Sequence, residues 1–307
     1  MSSAWPTVGV TPFWAAANNG NLEMVCLLLE NNAAHLNVPD NQGVTPVWAA
    51  ANNGNLQMVR LLLANNADIH IPDNQGVTPV WIAAHRGYLE IVRLLLANNA
   101  NINIPNDHGV TPVWSAAHRG YFTILRLLVA NNANIHIPHN NGTTPVSIAA
   151  GRGYLEIVRL LLANNADIHN PNSEGVTPVL VAAHHGNLEI VRLLLRNNAH
   201  INVPDNLGTT PVWAAAYLRD LNMVSLLVDN GADINIPDNH GVTPMQCAQN
   251  NGAQDIVRVL ERQYHLAFAM GLHVRLARRD YEAESAALVR VCNNTDILPL
   301  IINYCDF

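Results

Sequence analysis

Apolar residues follow helical spacing in two consecutive stretches of residues 79–97. The first stretch is short and contains small residues that allow close packing, whereas the second keeps its apolar residues on one face of a longer helix. Gly87 lies between the two stretches, where it can end the first helix. The pattern predicts two short helices joined by a tight turn, with Val80, Ala83 and Ala84 on the first stripe and Leu89, Val92, Leu95 and Leu96 on the second.

Polar residues that flank these stretches predict where each helix begins and ends. Thr78 can cap the first helix, and Pro79 suits the first helical position, where no backbone N–H is needed. Asn99 follows the second helix at a position that requires a left-handed residue, for which Asn is the next choice after Gly. Asp, Asn, Gly and Pro residues then form a turn into the next unit.

The same unit recurs along most of the chain at a fixed step. Its Thr-Pro dipeptides are spaced by 34 residues once and then by 33 residues six times. A period of this length is typical of a solenoid, in which each unit packs only on its neighbours. A solenoid offers a long surface rather than a deep enclosed cleft, which favours binding over catalysis. The repeated threonines are Thr11, Thr45, Thr78, Thr111, Thr144, Thr177, Thr210 and Thr243.

The repeated unit resembles the ankyrin repeat. In the third unit, the family pattern of a finger turn, a Thr-Pro pair, an Ala-Ala pair, a Gly and a Leu-Glu-Ile-Val run is present throughout residues 73–100. Eight copies cover about residues 8–262. The resemblance implies an all-α solenoid of helix-turn-helix units with short β-turn fingers, closed by a C-terminal helical cap.

The chain departs from the family pattern in systematic ways. Asn replaces the helix-ending Gly in six units, and a Pro ends each finger. Arg219 replaces the Gly between the two helices of the seventh unit, so we expect a local distortion of that turn. Trp replaces the motif's His in five units, and we interpret this series as core or half-buried packing rather than as a stacking platform. These residues are Trp14, Trp48, Trp81, Trp114 and Trp213.

The period is lost after about Arg262, and we interpret residues 263–307 as a helical cap on the repeat array of residues 1–262. Residues 297–304, with the sequence Ile-Leu-Pro-Leu-Ile-Ile-Asn-Tyr, are also similar to the Leu-Pro-containing ends of SOCS boxes and to the F-box-like segment of poxvirus ankyrin proteins. Leu288 and Cys292 have the spacing of an elongin-binding box. Recruitment of a cullin ubiquitin ligase is therefore the alternative role for this tail.

The charge and composition of the chain limit the functions and locations that we expect for it. The net charge of -7 gives no reason to expect nucleic-acid binding. We see no N-terminal leader and no long apolar run, so we expect a cytoplasmic protein without a membrane span. We also expect a monomer. In the cytosol the four cysteines are expected to be free thiols: Cys26, Cys247, Cys292 and Cys305.

All 16 basic residues are arginine, and lysine is absent. At average usage a chain of this length would contain about 18 lysines. Duplication of a founder unit without Lys explains this absence, and so does selection against ubiquitin attachment, for which Lys is the acceptor. Nearly identical Asn-rich repeats without Lys are similar to ankyrin effectors that intracellular bacteria inject into host cells, which makes the host cytosol an alternative location.

Candidate partner-binding residues occupy the ends of the first helices and the finger tips, which line the concave face and form the family's usual docking surface. Along the stack, the pair before the inter-helix Gly is neutral at the two ends and rich in Arg and His in the middle. We expect this stripe to bind an acidic or carboxylate-bearing segment of another protein. With a pKa of about 6.5, its histidines would add charge below neutrality. The alternative is that the arginines are copies of one solvated surface residue. The candidates are His85, Arg86, His108, His118, Arg119, Arg152, His184, His185, Leu207 and Tyr217.

No residue pattern predicts catalysis, a cofactor or a metal site. We find no nucleophile–base spacing and no phosphate-binding loop. Copies of one His position lie about 10 Å apart, too far to share an ion, and we expect His184 and His185 to point apart. A catalytic pair of Cys292 with His265 or His273, brought together by the fold, remains the alternative. The sequence thus predicts a non-enzymatic protein-interaction scaffold, with a substrate adaptor of a cullin-type ubiquitin ligase as the alternative.

Overall fold

The computed structural model describes residues 9–32 and 35–276, with the side chains of residues 9–31 and 35–266. This part of the chain consists of sixteen α-helices in consecutive pairs and contains no strand. The predicted all-α class and the predicted helix pairs are therefore confirmed. The first helices are α1 (Pro12–Asn18), α3 (Pro46–Asn52), α5 (Pro79–Arg86), α7 (Pro112–Arg119), α9 (Pro145–Arg152), α11 (Pro178–His184), α13 (Pro211–Tyr217) and α15 (Pro244–Asn250). The second helices are α2 (Leu22–Asn32), α4 (Leu56–Ala64), α6 (Leu89–Ala97), α8 (Phe122–Ala130), α10 (Leu155–Ala163), α12 (Leu188–Arg196), α14 (Leu221–Asp229) and α16 (Gln254–Leu276).

The chain divides into two compact units, one that ends at Pro178 and one that begins at Val179. In the first unit, α3 packs on α5, α5 on α7 and α7 on α9, and each of these helices also packs on the second helix of its own repeat. In the second unit, α13 packs on α14 and α15, and α16 packs on the same two helices. Among the described helices, none combines the length and the apolar character that crossing a bilayer requires.

Each first helix begins at the threonine that the sequence predicts. The Thr78 hydroxyl accepts a hydrogen bond from the Trp81 backbone N–H at 3.3 Å, and Pro79 follows as the first helical residue. The cap is buried, since Thr78 is only 2% exposed. A buried cap satisfies a helix N–H that water cannot reach, so it fixes where the helix starts.

The core of each repeat is formed by the apolar stripe of the second helix and the small residues of the first. In the third repeat, Val92 and Leu95 of α6 and Ala83 and Ala84 of α5 are fully buried. Alanine at this contact lets neighbouring first helices pack closely. This close packing of α3, α5, α7 and α9 brings the ends of the first helices together along one side of the first unit.

The second helices end in the left-handed residue that the sequence predicts. Asn99 has a φ of 61°, and the equivalent Asn residues have nearly the same angle. Asn tolerates this conformation better than other residues with a side chain, apart from Asp. The prediction is confirmed at Asn66, Asn99, Asn132, Asn165 and Asn198, with Gly231 in the equivalent position of the seventh repeat.

The expected distortion at Arg219 is wrong. Arg219 takes the left-handed conformation itself, with a φ of 59°, where the other repeats use Gly. Its N–H donates to the Ala216 carbonyl at 3.2 Å and the Asp220 N–H donates to the Ala215 carbonyl at 3.0 Å, as in the other turns. The turn keeps its hydrogen bonds because Arg219 adopts the unfavourable left-handed backbone angle. The Arg219 guanidinium also donates to the Asn251 carbonyl.

Replacement of Arg219 by Gly is expected to stabilise the seventh repeat. Left-handed backbone costs a residue with a Cβ about 1–2 kcal/mol, and the extra freedom of Gly in the unfolded chain cancels about 0.5–1 kcal/mol of that relief. We therefore expect a net gain of about 0.5–1 kcal/mol for Arg219→Gly in urea unfolding. Arg219→Ala is the control, because it removes the same guanidinium and keeps the strain; equal stability of the two variants would contradict this account.

The last described helix, α16, extends beyond the end of the repeat period. It runs from Gln254 to Leu276 and buries Ile256, Val257 and Leu260. The residues that carry the ligase resemblance, 283–307, lie outside the described residues. The boundary at residue 262 and the role of residues 263–307 as a cap stay predictions.

Candidate functional site

Three exposed arginines occupy the same position in consecutive repeats of the first unit. Arg86, Arg119 and Arg152 are the last residues of α5, α7 and α9, and each is followed by a left-handed Gly. A positive charge at this place is favoured by the C-terminal end of the helix dipole. We call these three residues the Arg row.

Each member of the Arg row forms a hydrogen bond with the repeat before it. Arg119 Nη2 lies 2.6 Å from His85 Nε2, and Arg152 Nη2 lies 2.6 Å from His118 Nε2. Arg86 Nε donates to Asn52 Oδ1 at 3.1 Å, because the second repeat has Asn where the next two have His. These bonds hold each guanidinium in place and connect neighbouring repeats.

The histidines beneath the Arg row are held by stacking. The His85 ring lies 4.9 Å from the Trp81 ring with 14° between their planes, and the His118 ring lies 5.2 Å from the Trp114 ring with 18° between them. His85 Nδ1 is 2.9 Å from the Ser115 hydroxyl. Because a guanidinium only donates, His85 Nε2 must accept, and its proton therefore sits on Nδ1 and is donated to Ser115.

The pKa values of both histidines are lowered, so the expected gain of charge just below neutrality is wrong for His85 and requires a more acidic pH at His118. Burial lowers the pKa of His85 from 6.5 to about 4, with further lowering by Arg119, Arg86 and His118. Burial and the charge of Arg152, followed by Arg119, also lower the pKa of His118. The unperturbed pKa does not hold because each ring is partly buried between repeats and the charge with the largest effect on it, Arg119 or Arg152, belongs to the next repeat. Both rings act as neutral acceptors that orient the guanidiniums.

Because the pKa of His85 is lowered, the free energy of unfolding is expected to decrease at acidic pH. Above pH 6.5 the ring is neutral in the folded and the unfolded chain, so the stability is complete. As the pH falls from 6.5 towards 4, the His85 ring binds a proton in the unfolded chain but not in the folded chain, so the free energy of unfolding decreases. Allowing for solvent screening of a half-buried ring, we expect a loss of about 1–2 kcal/mol over this window.

The His85→Gln variant isolates this effect, because an amide can accept from Arg119 and does not titrate. Urea unfolding at several pH values should show a smaller loss for the variant than for the wild type between pH 6.5 and 4. If both proteins lose the same free energy of unfolding, His85 is not the group responsible.

No carboxylate neutralises the Arg row among the described residues. The ion pairs in that part of the chain join residues of the second helices, as in Arg93 with Glu90 at 3.4 Å in α6. The other two are Arg159 with Glu156 and Arg192 with Glu189. The three guanidiniums therefore present uncompensated positive charge to solvent, although the whole chain is acidic.

A groove of about 680 Å³ lies in the first unit between the first helices and the fingers. It extends from Trp14 in the first repeat to Asn106 in the finger of the fourth, and it includes one member of the Arg row, Arg86. Its apolar wall includes three Trp rings, and its polar wall is rich in amide side chains. The groove residues are Trp14, Trp48, Trp81, Val44, Ala49, Val77, Ile82, Asn18, Asn41, Gln42, Asn52, Asn74, Gln75, Asn106, Asp40, Asp73, His85 and Arg86.

The fingers that form one wall of this groove are rigid turns. Asp73 Oδ1 accepts from the N–H groups of Gln75 and Val77, both at 2.9 Å. The Asn74 N–H donates to the Gln42 carbonyl at 2.9 Å, which joins one finger to the previous one. Trp48 Nε1 donates to the Val77 carbonyl at 2.9 Å, so the same ring connects the helix to the finger of the next repeat.

The predicted core or half-buried placement of the Trp series is confirmed, since Trp81 is buried and the other four are half-buried. Trp81 is 8% exposed, and its Nε1 donates to the Val110 carbonyl at 2.7 Å. The binding stripe that the sequence predicts begins at the third repeat and does not include the part of the groove in the first two repeats. Their neutral Asn pairs gave no charge signal, but the repeated Trp opposite an amide-rich finger could have indicated it.

The other five residues that the sequence predicts to bind a partner lie outside the Arg row and the groove. His108 is an exposed finger residue of the first unit, and its backbone carbonyl accepts from the Asn140 N–H at 3.0 Å. The other four are exposed in the second unit, where the Tyr217 ring stacks on Trp213 at 5.5 Å. These four are His184, His185, Leu207 and Tyr217.

The expectation that His184 and His185 point apart is wrong. Their ring centroids are 5.2 Å apart in an edge-on contact. His185 follows the last residue of α11, and its Nδ1 lies 2.9 Å from the Val181 carbonyl, which draws its ring back along the helix. Across the part of the chain with described side chains, no group of three or more His, Cys, Asp or Glu residues could hold a metal ion.

The two cysteines with described side chains are free thiols. Cys26 is exposed and Cys247 is buried. Burial raises the pKa of the Cys247 thiol, and the charge of Asp238 raises it further, so Cys247 is not activated as a nucleophile. The pair of Cys292 with His265 or His273 cannot be assessed from geometry, because Cys292 lies outside the described residues.

Comparison with known families explains the repeated helix pairs. A family model described as "Ankyrin repeats (3 copies)" matches residues 4–73, 48–139, 116–205 and 199–266. No curated protein matches the chain. The family matches do not reach the tail that resembles SOCS and F-box-like segments, and neither comparison supports the likeness to injected effectors.

Proposed function

We propose that this chain, which belongs to the ankyrin-repeat family, binds an acidic segment of a partner protein through the Arg row and the adjoining groove. Proteins of this family generally mediate protein–protein interactions, and binding rather than catalysis is what a row of repeated surface residues supports. The proposal is non-enzymatic, and it places the binding face in the first unit.

The observation that carries the proposal is the uncompensated charge of the Arg row. Guanidiniums that are exposed, oriented by neutral acceptors and not engaged in an ion pair are suited to bind carboxylates of a partner. His85 and His118 use one N–H donor of Arg119 and Arg152, respectively. A guanidinium has five such donors, so most of them remain for the partner.

The groove, which meets the Arg row at Arg86, supports a protein partner. Trp rings supply apolar contact area, and the amide side chains of Gln42 and Gln75 can donate to and accept from peptide groups. This combination of an apolar wall and a few polar groups is typical of a recognition site. The net charge of -7 gives no reason to expect nucleic acid as the occupant.

A matched pair of photo-crosslinking variants tests this proposal. Gln75 lines the groove, whereas Gln57 is exposed on the second helix α4 and lies outside the groove. A photoreactive residue at position 75 should capture a partner protein from a cell lysate, and the same residue at position 57 should not. The capture should disappear when Arg86, Arg119 and Arg152 are replaced by Gln. Equal capture from both positions, or capture that survives the triple replacement, would contradict the proposal.

The absence of lysine supports a second candidate function. A substrate adaptor of a cullin-type ubiquitin ligase would offer its own ligase no lysine acceptor, and residues 297–304 would then recruit the ligase. A pull-down that compares the whole chain with a chain ending at Leu276, the last described residue of α16, tests this role. Cullin or elongin components that require residues 277–307 would support the adaptor, and their absence from both samples would exclude it.

The cytoplasmic location, the monomeric state and the action as an injected bacterial effector remain parts of the proposal. Each concerns where and in which assembly the same binding face operates. The binding experiment with Gln75 and Gln57 does not depend on them.

A further inference from the structure

We infer that the partner presents its acidic residues at every third position of an extended segment. This inference rests on the proposed function, because it specifies what the Arg row binds. It follows from the distance at which the row repeats and from the chemistry of the groove beside it.

The Arg row repeats with the packing distance of the first helices. α5, α7 and α9 pack side by side in consecutive repeats, and each contributes one guanidinium from the same helical position. Arg119 and Arg152 form the same bond of 2.6 Å to the preceding histidine. Packed helices lie about 8–10 Å apart, so neighbouring guanidiniums are separated by about that distance.

The spacing of the Arg row fits an extended chain with a three-residue step. An extended segment rises about 3.3 Å per residue, so three residues span about 10 Å. Side chains of an extended segment alternate between faces, but rotation towards the polyproline conformation gives three residues per turn and a rise of about 3.1 Å, which returns every third side chain to one face. A carboxylate at every third residue can therefore reach each guanidinium in turn.

The groove favours an extended occupant over a helix. A helix rises about 1.5 Å per residue and would match the row with acidic residues about seven apart. A helix, however, satisfies its backbone groups internally, whereas an extended chain without internal hydrogen bonds exposes them. The groove offers the amide side chains of Gln42 and Gln75 for such groups. Other amides of the groove already form hydrogen bonds within the chain, namely those of Asn18, Asn52, Asn74 and Asn106.

Because the guanidiniums are held in fixed orientations, we expect them to discriminate between partner segments whose acidic residues are spaced differently. Arg119 and Arg152 are each held by a neutral ring, which itself stacks on a Trp ring. Held side chains lose less entropy on binding than free ones. A mismatched step would leave one or two of the three arginines unpaired.

Fluorescence anisotropy with three labelled peptides tests the inference on the full chain. The peptides have the same length and carry three Glu residues, at steps of three or two in a Gly, Ser and Pro background and at a step of seven in an Ala and Gln background that allows a helix. We expect the three-step peptide to bind about tenfold more tightly than the two-step peptide and the seven-step peptide, since the loss of one or two charge pairs costs about that factor. Arg119→Gln, in the middle of the row, should remove most of this preference.

The possible outcomes separate this inference from the proposed function. Equal binding of all three peptides, lost on replacement of the Arg row by Gln, would overturn the three-residue step and leave acidic recognition intact. Tighter binding of the seven-step peptide would overturn the extended occupant in favour of a helix. If no acidic peptide binds while position 75 still captures a protein, the acidic motif is wrong and the groove remains the binding face. If neither peptide nor protein binds, the proposed function itself is wrong.

Discussion

Reversal of the Arg row, with Arg86, Arg119 and Arg152 all replaced by Glu, is expected to abolish partner binding. Each reversal removes an attraction to a carboxylate and adds a repulsion. For three oriented and exposed guanidiniums, we expect a loss of at least about hundredfold in affinity for the three-step peptide. The side chains lie outside the core, so circular dichroism should show unchanged helical content.

A matched control separates the site from the net charge. Arg93, Arg126 and Arg159 occupy α6, α8 and α10 of the same three repeats and are exposed on the second helices. Replacement of these three by Glu changes the net charge by the same amount and should leave binding within about threefold, as a long-range effect screened by salt. If the two triple variants lose affinity equally, binding depends on overall charge and the Arg row is not the site.

Truncation of Trp81 is expected to produce the largest single loss of stability that involves the site. Trp81 is 8% exposed, donates to the Val110 carbonyl at 2.7 Å and supports the His85 ring. Removal of a buried Trp side chain typically costs about 3–5 kcal/mol. We expect Trp81→Ala to lower the free energy of unfolding in urea by this amount and to weaken peptide binding, because His85 loses its support.

Trp81→Phe distinguishes packing from the hydrogen bond. Phe keeps a ring under His85 and removes only the donor to Val110, for which about 1–2 kcal/mol is expected. Binding of the three-step peptide should then be nearly retained. A loss below about 1 kcal/mol for Trp81→Ala would contradict the role of this residue in joining neighbouring repeats.

The features that the sequence predicted well are those set by local chemistry. Thr78 and Pro79 determine the start of α5 through a cap within one turn of the helix, and Asn99 adopts its left-handed angle through its own side chain. The period of the Thr-Pro pairs then repeats these local choices along the chain. Each of these residues acts on backbone only a few positions away, so a single sequence is enough to predict the helix start or the left-handed angle.

The features that the sequence did not predict depend on neighbours from other repeats. The pKa of His85 is set by burial and by Arg119, which lies one repeat further along the chain. The groove forms between the finger that carries Gln75 and helices of other repeats, and no single unit contains it. At Arg219 the repeated hydrogen bonds of the turn overcame the residue's own preference, which a local rule cannot foresee.

The binding face can be tested most directly by hydrogen exchange of the full chain with and without the three-step peptide. The account predicts slower exchange in the bound chain at the C-terminal ends of α5, α7 and α9 and in the finger of residues 73–77. The second helices α6, α8 and α10 should exchange at unchanged rates. Protection confined to the second helices, or to the second unit that begins at Val179, would contradict the account.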